Sequence, residues 1–312
     1  MKHTCTSTNI FTKPAAIVLL ALLTCALWGS AFPAIKEGFA LLRIEDSGSK
    51  ILFAGYRFFL AGMMTLVFFS IKEGRLLTIK KSSIPGIMVQ GLLQTTVQYV
   101  CFYIGLSNTT GTKGSVINGS NGFFSIIAAH FMTKDERMDK RKALGCAIGF
   151  AGIVIVNLGG DGFGGGVTFM GEGMVLLCSV AYGVSSVTLK MISHRETPGA
   201  ITAYQLLFGS VILIAMGFCM GGQVTGFTVM SSMLLLYLSV TSMVTFCIWA
   251  NLLKYNPVGK ITIYGFTIPV FGVMLSAIFL GERVLTPATI LALIFVSVGI
   301  VVVNRSKKRD EI

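Results

Sequence analysis

The chain has 312 residues, of which 54% are hydrophobic and 12% are charged, and its mean hydropathy is +0.79. A soluble domain of this size needs more charged residues to cover its surface, so the composition excludes an ordinary soluble protein and indicates a chain that lies mostly in lipid. The net charge of +12 does not indicate a nucleic-acid-binding protein, because the basic residues are spread over short loops and are not gathered on one face.

Long apolar segments recur along the whole chain and predict a polytopic α-helical membrane protein. A helix needs about 20 mostly apolar residues to cross the hydrocarbon of a bilayer. The segments do not alternate polar and apolar residues, which excludes the strands of a membrane β-barrel. In chain order, the predicted spans are Pro14–Ile35, Ile51–Ile71, Ile84–Leu106, Thr112–Met132, Ala143–Leu158, Met170–Met191, Ala200–Met220, Met230–Leu253, Val258–Leu280 and Ala288–Val303.

The distribution of basic residues predicts the orientation of these spans. With a cytoplasmic N-terminus, 18 of the 25 Lys and Arg residues lie in cytoplasmic segments and four lie outside. The other three, Arg57, Lys113 and Lys260, fall within spans. Because Lys and Arg are retained on the cytoplasmic side of a membrane, we expect a multi-pass protein with both termini in the cytoplasm.

The two halves of the chain match each other span by span. The same residue types recur at similar positions in both halves, including the apolar runs 152–157 and 299–304 that close each half. The matched pairs are Trp28-Gly29 with Tyr182-Gly183, Lys36 with Lys190, Tyr56-Arg57 with Tyr204-Gln205, Lys113 with Lys260, and Glu136-Arg137 with Glu282-Arg283. The halves differ at Gly122, which stands where the second half has Pro269.

Each half contains five predicted spans, and two repeats with an odd number of spans must enter the membrane from opposite sides. The sequence therefore predicts an all-α membrane protein whose ten transmembrane helices form two inverted five-helix repeats, an arrangement typical of secondary transporters. The predicted divisions are a cytoplasmic tail (1–13), the first repeat (14–158), a glycine-rich linker (159–169), the second repeat (170–304) and a basic cytoplasmic tail (305–312).

Three segments carry a resemblance to a known family: Trp28-Gly29-Ser30-Ala31-Phe32 followed by Lys36, Glu136-Arg137, and Leu280-Gly281-Glu282-Arg283. Within a doubled ten-helix layout they resemble the EamA-type transporters of the drug/metabolite transporter superfamily, over about Ala15 to Asn304. The resemblance implies export or exchange of small metabolites across the bacterial inner membrane. Lys134-Asp135-Glu136-Arg137 differs from the Leu-Gly-Glu-Arg expected there, which leaves the substrate subgroup open.

Arg57, Lys113 and Lys260 are the cations assigned to the predicted spans. Glu172 and Lys190 lie within two residues of the ends of the span Met170–Met191, and no Asp or Glu lies deep in any span. Ionisable groups inside a bilayer are costly and indicate function, although each of these cations is also explained by a side chain that reaches the headgroups. Exporters of lipophilic cations usually need a buried carboxylate, and this chain has none at mid-membrane. The charges therefore favour an anionic or carboxylate-bearing solute, such as an amino acid or an organic acid.

Polar and aromatic side chains are predicted to line a central cavity together with these cations. Gln94 and Gln98 share one helix face, and so do Asn118 and Asn121. The alternative for each residue is a hydrogen bond between helices, worth roughly 0.6 kcal/mol. The candidate substrate-binding residues are Trp28, Arg57, Gln94, Gln98, Tyr99, Tyr103, Lys113, Asn118, Asn121, Gln205, Trp249, Lys260 and Tyr264.

The sequence thus predicts a secondary transporter, with an exporter of drugs or other neutral solutes as the alternative. A membrane-embedded enzyme would need paired carboxylates, a metal cluster or a Ser/His pair within the spans, and a sensor would need a soluble signalling domain. We expect neither, and we expect no catalytic residue, metal or cofactor. The expected partners are a small-molecule substrate and the lipid bilayer, but no nucleic acid. The coupling ion and the choice between monomer and homodimer are left open.

Overall fold

The computed structural model describes residues 9–109, 114, 117–134, 136–159, 168–280 and 287–304. Within these ranges all regular secondary structure is helical. We label the helical segments in chain order: α1 Pro14–Leu42, α2 Ser47–Glu73, α3 84–107, α4 Asn121–Met132, α5 Lys140–Gly159, α6 Phe169–Ser193, α7 Pro198–Cys219, α8 Val229–Tyr255, α9 258–280 and α10 Pro287–Asn304.

Five of these segments, α1, α2, α6, α7 and α8, are long and apolar enough to cross a membrane by length and composition. Many of their large apolar side chains point away from the protein: Leu19 is 68% exposed and Ile71 is 76% exposed. Exposed apolar surface on this scale marks contact with a partner or a membrane. A surrounding bilayer explains it, as the composition predicts.

Local hydrogen bonds set several helix ends beyond the apolar runs. The Asp46 carboxylate accepts a hydrogen bond from the Ser49 amide at 2.8 Å, so α2 begins four residues before its predicted start. At its other end, Gly74 adopts a left-handed conformation with φ of 64°. The hydroxyls of Thr228 and Ser231 form a reciprocal capping box at the start of α8.

The first helix is longer than its apolar run. It continues to Leu42, seven residues past the predicted end at Ile35, and ends at Arg43, which has a left-handed φ of 51°. Pro33 lies inside this helix. A proline is tolerated there because neighbouring helices can satisfy the backbone group that it frees. Lys36 was predicted to lie in an external loop, and it belongs instead to the last part of α1.

The helix α9 changes its helix type just before Pro269. A 3₁₀ turn, Ile263–Phe266, separates Val258–Thr262 from Thr267–Leu280. Pro269 has no N–H with which to bond the carbonyl four residues earlier, so a tighter turn at this point is expected.

The helices pack in pairs that join the two halves of the chain, with α2 against α7 and α5 against α10 most extensively. Glycines permit the close approach of α2 and α7. A Cβ added to Gly55 would lie 2.6 Å from Ile214 Cγ1, and one added to Gly217 would lie 2.9 Å from Leu52 Cα. Small residues at such contacts let helix backbones pack closely in a membrane, where water provides no hydrophobic driving force.

Gly145 and Gly149 are spaced four residues apart, as in the small-residue motifs that pack membrane helices together. A Cβ added to Gly299 of α10 would lie 2.7 Å from the carbonyl oxygen of Gly145 and 3.1 Å from the nitrogen of Gly149. The motif therefore serves the contact between α5 and α10.

We predict that Gly217→Ala destabilises the protein by about 1–3 kcal/mol, because the added methyl group overpacks the contact with α2. Thermal unfolding of the purified protein in detergent measures the effect. Gly265→Ala is the matched control, since a Cβ at that position meets nothing within 4 Å. Equal unfolding temperatures for the two variants would contradict the prediction.

Candidate functional site

A cavity of about 50 Å³ lies in the interior of the helical bundle, between α1, α2, α3, α4, α6, α8 and α9. This volume holds only a few water molecules, so a metabolite requires the surrounding helices to move apart. The polar lining residues are Arg57, Gln94, Gln98, Asn118 and Asn121, the aromatic ones are Trp28, Phe32, Tyr99, Phe102, Tyr182 and Phe246, and the aliphatic ones are Ala31, Ile35 and Ile268.

Arg57 brings a positive charge to the wall of this cavity. Its side chain is only 1% exposed, and its Nε donates a hydrogen bond to Ser242 Oγ at 2.9 Å. The phenol groups of Tyr99 and Tyr103 lie within range of the charge. Among the described residues, no carboxylate pairs with the guanidinium. The side chain thus points into the protein, unlike one that extends to the lipid headgroups.

Several buried polar atoms around the cavity have no hydrogen-bond partner in the described part of the chain. They are Trp28 Nε1, Arg57 Nη1, Gln98 Oε1 and Asn121 Oδ1. A buried donor or acceptor without a partner costs about 1–3 kcal/mol, so such groups call for an explanation. A polar ligand, or water when the ligand is absent, can supply the missing hydrogen bonds.

A π-helical turn in α3, Leu92–Val97, presents part of the polar wall. The Gln90 side-chain amide donates a hydrogen bond to Gln94 Oε1, and the Thr96 hydroxyl donates one to the carbonyl of Gly209 at 3.1 Å. Single π-turns inside helices occur frequently at functional sites. The sequence did not predict this turn; its signal was the polar run Gln94-Thr95-Thr96 within an apolar span.

Aromatic rings form the largest part of the cavity wall. The Trp28 ring lies 6.5 Å from that of Tyr182 and 6.1 Å from that of Phe246 between ring centroids. Trp249, a predicted site residue, does not line the cavity. It packs behind Trp28, with 5.0 Å between the two ring centroids. Tyr182 was missed by the sequence analysis, although it is the repeat counterpart of Trp28.

Four other predicted site residues, Tyr103, Gln205, Lys260 and Tyr264, do not line the cavity in the described part of the chain. Gln205, the counterpart of Arg57 in α7, is fully buried elsewhere, and its two side-chain amide atoms have no partner among the described residues. Lys260 is exposed in the first turn of α9, and Tyr264 is partly buried in the 3₁₀ turn that follows. Lys113 lies outside the described residues.

The described residues contain no group of three or more His, Cys, Asp or Glu side chains that could hold a metal ion. The cavity instead combines one cationic group, several amide and indole groups, and apolar ring surfaces. Such a set can bind and orient a small polar molecule that also has an apolar part.

The sequence profile of the EamA-like transporter family matches the chain twice, over residues 15–158 and 169–305. The chain belongs to the EamA-like transporter family. The two matches divide this EamA-like chain close to the boundary that the internal repeat indicates, and they identify it as a membrane transporter.

Its relatives support this assignment over nearly their full lengths. The uncharacterized transporter YvbV of Bacillus subtilis (strain 168) is 27% identical over 302 residues, which is 96% of this chain and 94% of the relative. A probable amino-acid metabolite efflux pump of Escherichia coli (strain K12) is 22% identical over 300 residues, covering 90% of this chain and 92% of the relative. A solved crystal structure has a TM-score of 0.74 at 16% identity, covers 93% of this chain and 96% of its own, and shares the fold of this EamA-like protein.

We predict that Ser242→Ala lowers the free energy of unfolding by about 1.5–3 kcal/mol, because it removes the hydrogen bond that the buried Arg57 guanidinium donates. Thermal unfolding in detergent measures the loss. Ser239→Ala is the matched control: this buried hydroxyl lies on the same helix and donates to its own helix carbonyl at Leu235. Equal destabilisation of the two variants would show that the Arg57 contact contributes nothing.

Proposed function

We propose that this EamA-like protein is a secondary transporter that moves a small carboxylate-bearing metabolite, such as an amino acid or an organic acid, across the bacterial inner membrane. The buried guanidinium of Arg57 at the cavity wall, without a carboxylate partner among the described residues, carries the proposal. A buried charge is costly unless it is paired. A substrate carboxylate supplies the counter-charge, and the planar guanidinium can hold both of its oxygens.

The other cavity groups suit a substrate that carries more than a carboxylate. The indole N–H of Trp28 can donate a hydrogen bond, and the side-chain oxygens of Gln98 and Asn121 can accept bonds from an amino group. The rings of Phe102 and Phe246 offer apolar surface to a side chain. The name of the Escherichia coli relative, an amino-acid metabolite efflux pump, is consistent with this class and favours export.

Alternating access follows from an inverted repeat, and two equivalent glycine contacts support that repeat. A Cβ added to Gly29 of α1 would lie 2.6 Å from Phe271 Cβ of α9, and one added to Gly183 of α6 would lie 2.5 Å from the backbone of Phe124 in α4. When the first and second halves of the chain are exchanged, the α1–α9 contact takes the place of the α6–α4 contact. The pairs α2–α7 and α5–α10 map onto themselves under the same exchange.

Contacts between connecting segments support the proposed alternation of spans across the membrane. The Lys80 amide donates to Glu196 Oε1 at 2.9 Å, and both residues lie in segments assigned to the cytoplasm. The Gln223 amide donates to Ser49 Oγ at 2.8 Å, and both residues belong to the outer side.

The aromatic wall favours a second candidate function, the export of drugs or other neutral solutes. Aromatic rings bind a planar neutral molecule without any need for a cation. The two functions differ in their requirement for Arg57, which is essential only for a carboxylate.

We predict that Arg57→Gln abolishes carboxylate exchange in proteoliposomes, because loss of a buried charge partner costs about 2–5 kcal/mol of binding. Arg57→Lys should keep part of the activity, since an ammonium lacks the planar fork. The test substrates are the amino and organic acids that raise the unfolding temperature of the purified protein.

Lys72→Gln is the control, because it removes a cation from the same helix far from the cavity. If Arg57→Gln exchanges carboxylates as fast as the parent protein, the anionic substrate class is wrong. If it loses carboxylate exchange but both proteins export a neutral aromatic compound, the cavity serves both classes.

The proposed topology predicts opposite labelling of two exposed positions. With the native cysteines replaced, Ser82→Cys should react with a membrane-impermeant maleimide only from the cytoplasmic side, and Thr225→Cys only from outside. Both side chains are exposed in the structure, so the reagent can reach them. Labelling of the two positions from the same side of intact cells would contradict the alternation of spans.

A further inference from the structure

Glu136 joins three parts of the chain at one end of the bundle. It lies in the segment between α4 and α5, and its Oε1 accepts hydrogen bonds from Lys190 Nζ and from the Val258 amide, both at 2.8 Å. Its Oε2 accepts a third bond from the Gly259 amide at 3.1 Å. Lys190 belongs to the last turn of α6, whereas Val258 and Gly259 begin α9.

Lys190 extends the same network to a further segment. Its Nζ also donates to the carbonyl oxygen of Asn256 at 3.1 Å. The Asn256 side-chain amide in turn donates to the carbonyl oxygen of Phe11, at 2.9 Å, in the segment before α1. One carboxylate and one ammonium thus connect the segments that close this end of the bundle.

The environment of Glu136 favours its charged form. Burial alone would raise the pKa of Glu136, but the hydrogen bonds from Lys190 and from the two backbone amides outweigh it, so the pKa is lower than usual. The carboxylate also lies at the N-terminus of α9, where the helix dipole favours negative charge. The side chains of Lys190 and Glu136 are only 22% and 12% exposed. Charge-assisted bonds are strong in such a setting.

The network stands between the cavity and the cytoplasm. Tyr182, which lines the cavity from α6, precedes Lys190 by eight residues, and Ile268, which lines it from α9, follows Gly259 by nine. At 1.5 Å per residue these separations correspond to about 12–14 Å along each helix. Both helices therefore line the cavity and are fastened together on its cytoplasmic side.

We propose that Glu136 and Lys190 form the cytoplasmic gate of the transporter and that they must separate before the cavity opens to the cytoplasm. The proposal rests on the alternating access and orientation given under the proposed function. Glu136 and Lys190 act as positioning residues: they hold α6, α9 and the α4–α5 segment closed without contacting the substrate.

The repeat counterparts of Lys190 and Glu136 lie on the outer side in the proposed topology. Lys36 is the counterpart of Lys190 and Glu282 that of Glu136. Glu282 lies outside the described residues, so the proposal is argued from the cytoplasmic pair alone. A transporter of two inverted repeats nevertheless needs a closing contact on each side.

Side-specific labelling of the cavity tests the gate. The reporter is Ala31→Cys, which lines the cavity, in a protein whose seven native cysteines are replaced. A membrane-impermeant maleimide is applied to right-side-out and to inside-out vesicles. We expect Glu136→Gln and Lys190→Gln each to raise the labelling rate from the cytoplasmic side by at least about tenfold, because labelling follows the population of the inward-open state.

Glu73→Gln is the matched control, because Glu73 forms another ion pair on the cytoplasmic side, with Arg75. This pair is more exposed: the Glu73 side chain is 29% exposed and that of Arg75 is 79% exposed. Its labelling should equal that of the parent protein. Glu136→Asp retains the charge and should restore a labelling rate close to the parent value.

Two results would contradict the proposal that Glu136 and Lys190 form a gate. In the first, Glu136→Gln and Lys190→Gln lower the unfolding temperature but leave cytoplasmic labelling unchanged, as expected for a structural brace. In the second, labelling rises only from the outer side. The assay contains no substrate, so an error in the proposed substrate class does not affect it, and the labelling of Thr225→Cys tests the orientation separately.

Discussion

Hydrocarbon offers no hydrogen bonds, so each polar group on a membrane helix must find its partner inside the protein. Most hydroxyl groups meet this requirement locally: Thr65, Ser125 and Ser239 donate to the carbonyl four residues earlier in their own helices. Several buried groups that lack such a partner, among them Trp28 and Asn121, surround the cavity instead. Because most polar groups form hydrogen bonds within their own helices, the buried groups without a partner indicate a binding site. A ligand bound there can supply the missing hydrogen bonds.

Hydropathy predicted the helices well because lipid selects for long apolar runs. The eighth span, predicted as Met230–Leu253, is observed as Val229–Tyr255. The first helix was predicted too short because Lys36 and Glu37 interrupt its apolar run, and sequence alone does not reveal that packing keeps the following residues helical. The π-turn in α3 was missed because the apolar pattern of the span fits a regular helix, and the polar run Gln94-Thr95-Thr96 does not by itself specify a change of helix type.

The candidate site was only partly predictable, and the reason is physical. A polar residue such as Arg57, Gln98 or Asn121 is costly in lipid, so its presence in an apolar span is a signal in the sequence. Phe102 and Phe246 carry no such signal, because a phenylalanine is equally stable against lipid, in a helix contact or at a cavity wall. Their assignment requires knowledge of which helix face points inward, which only the packed structure gives.

The π-turn of α3 has a consequence for the divergence of related proteins. It contains one residue more than a regular helix would use, and it lies just before the cavity-lining residues Gln98, Tyr99 and Phe102. Because the turn absorbs this extra residue, deletion of one residue within Leu92–Val97 restores a regular helix and leaves the later residues on nearly the same helix faces. In a regular helix the same deletion would rotate every later residue by about 100°. A lineage can therefore lose the turn through a single-codon deletion and still keep Gln98, Tyr99 and Phe102 in the cavity wall.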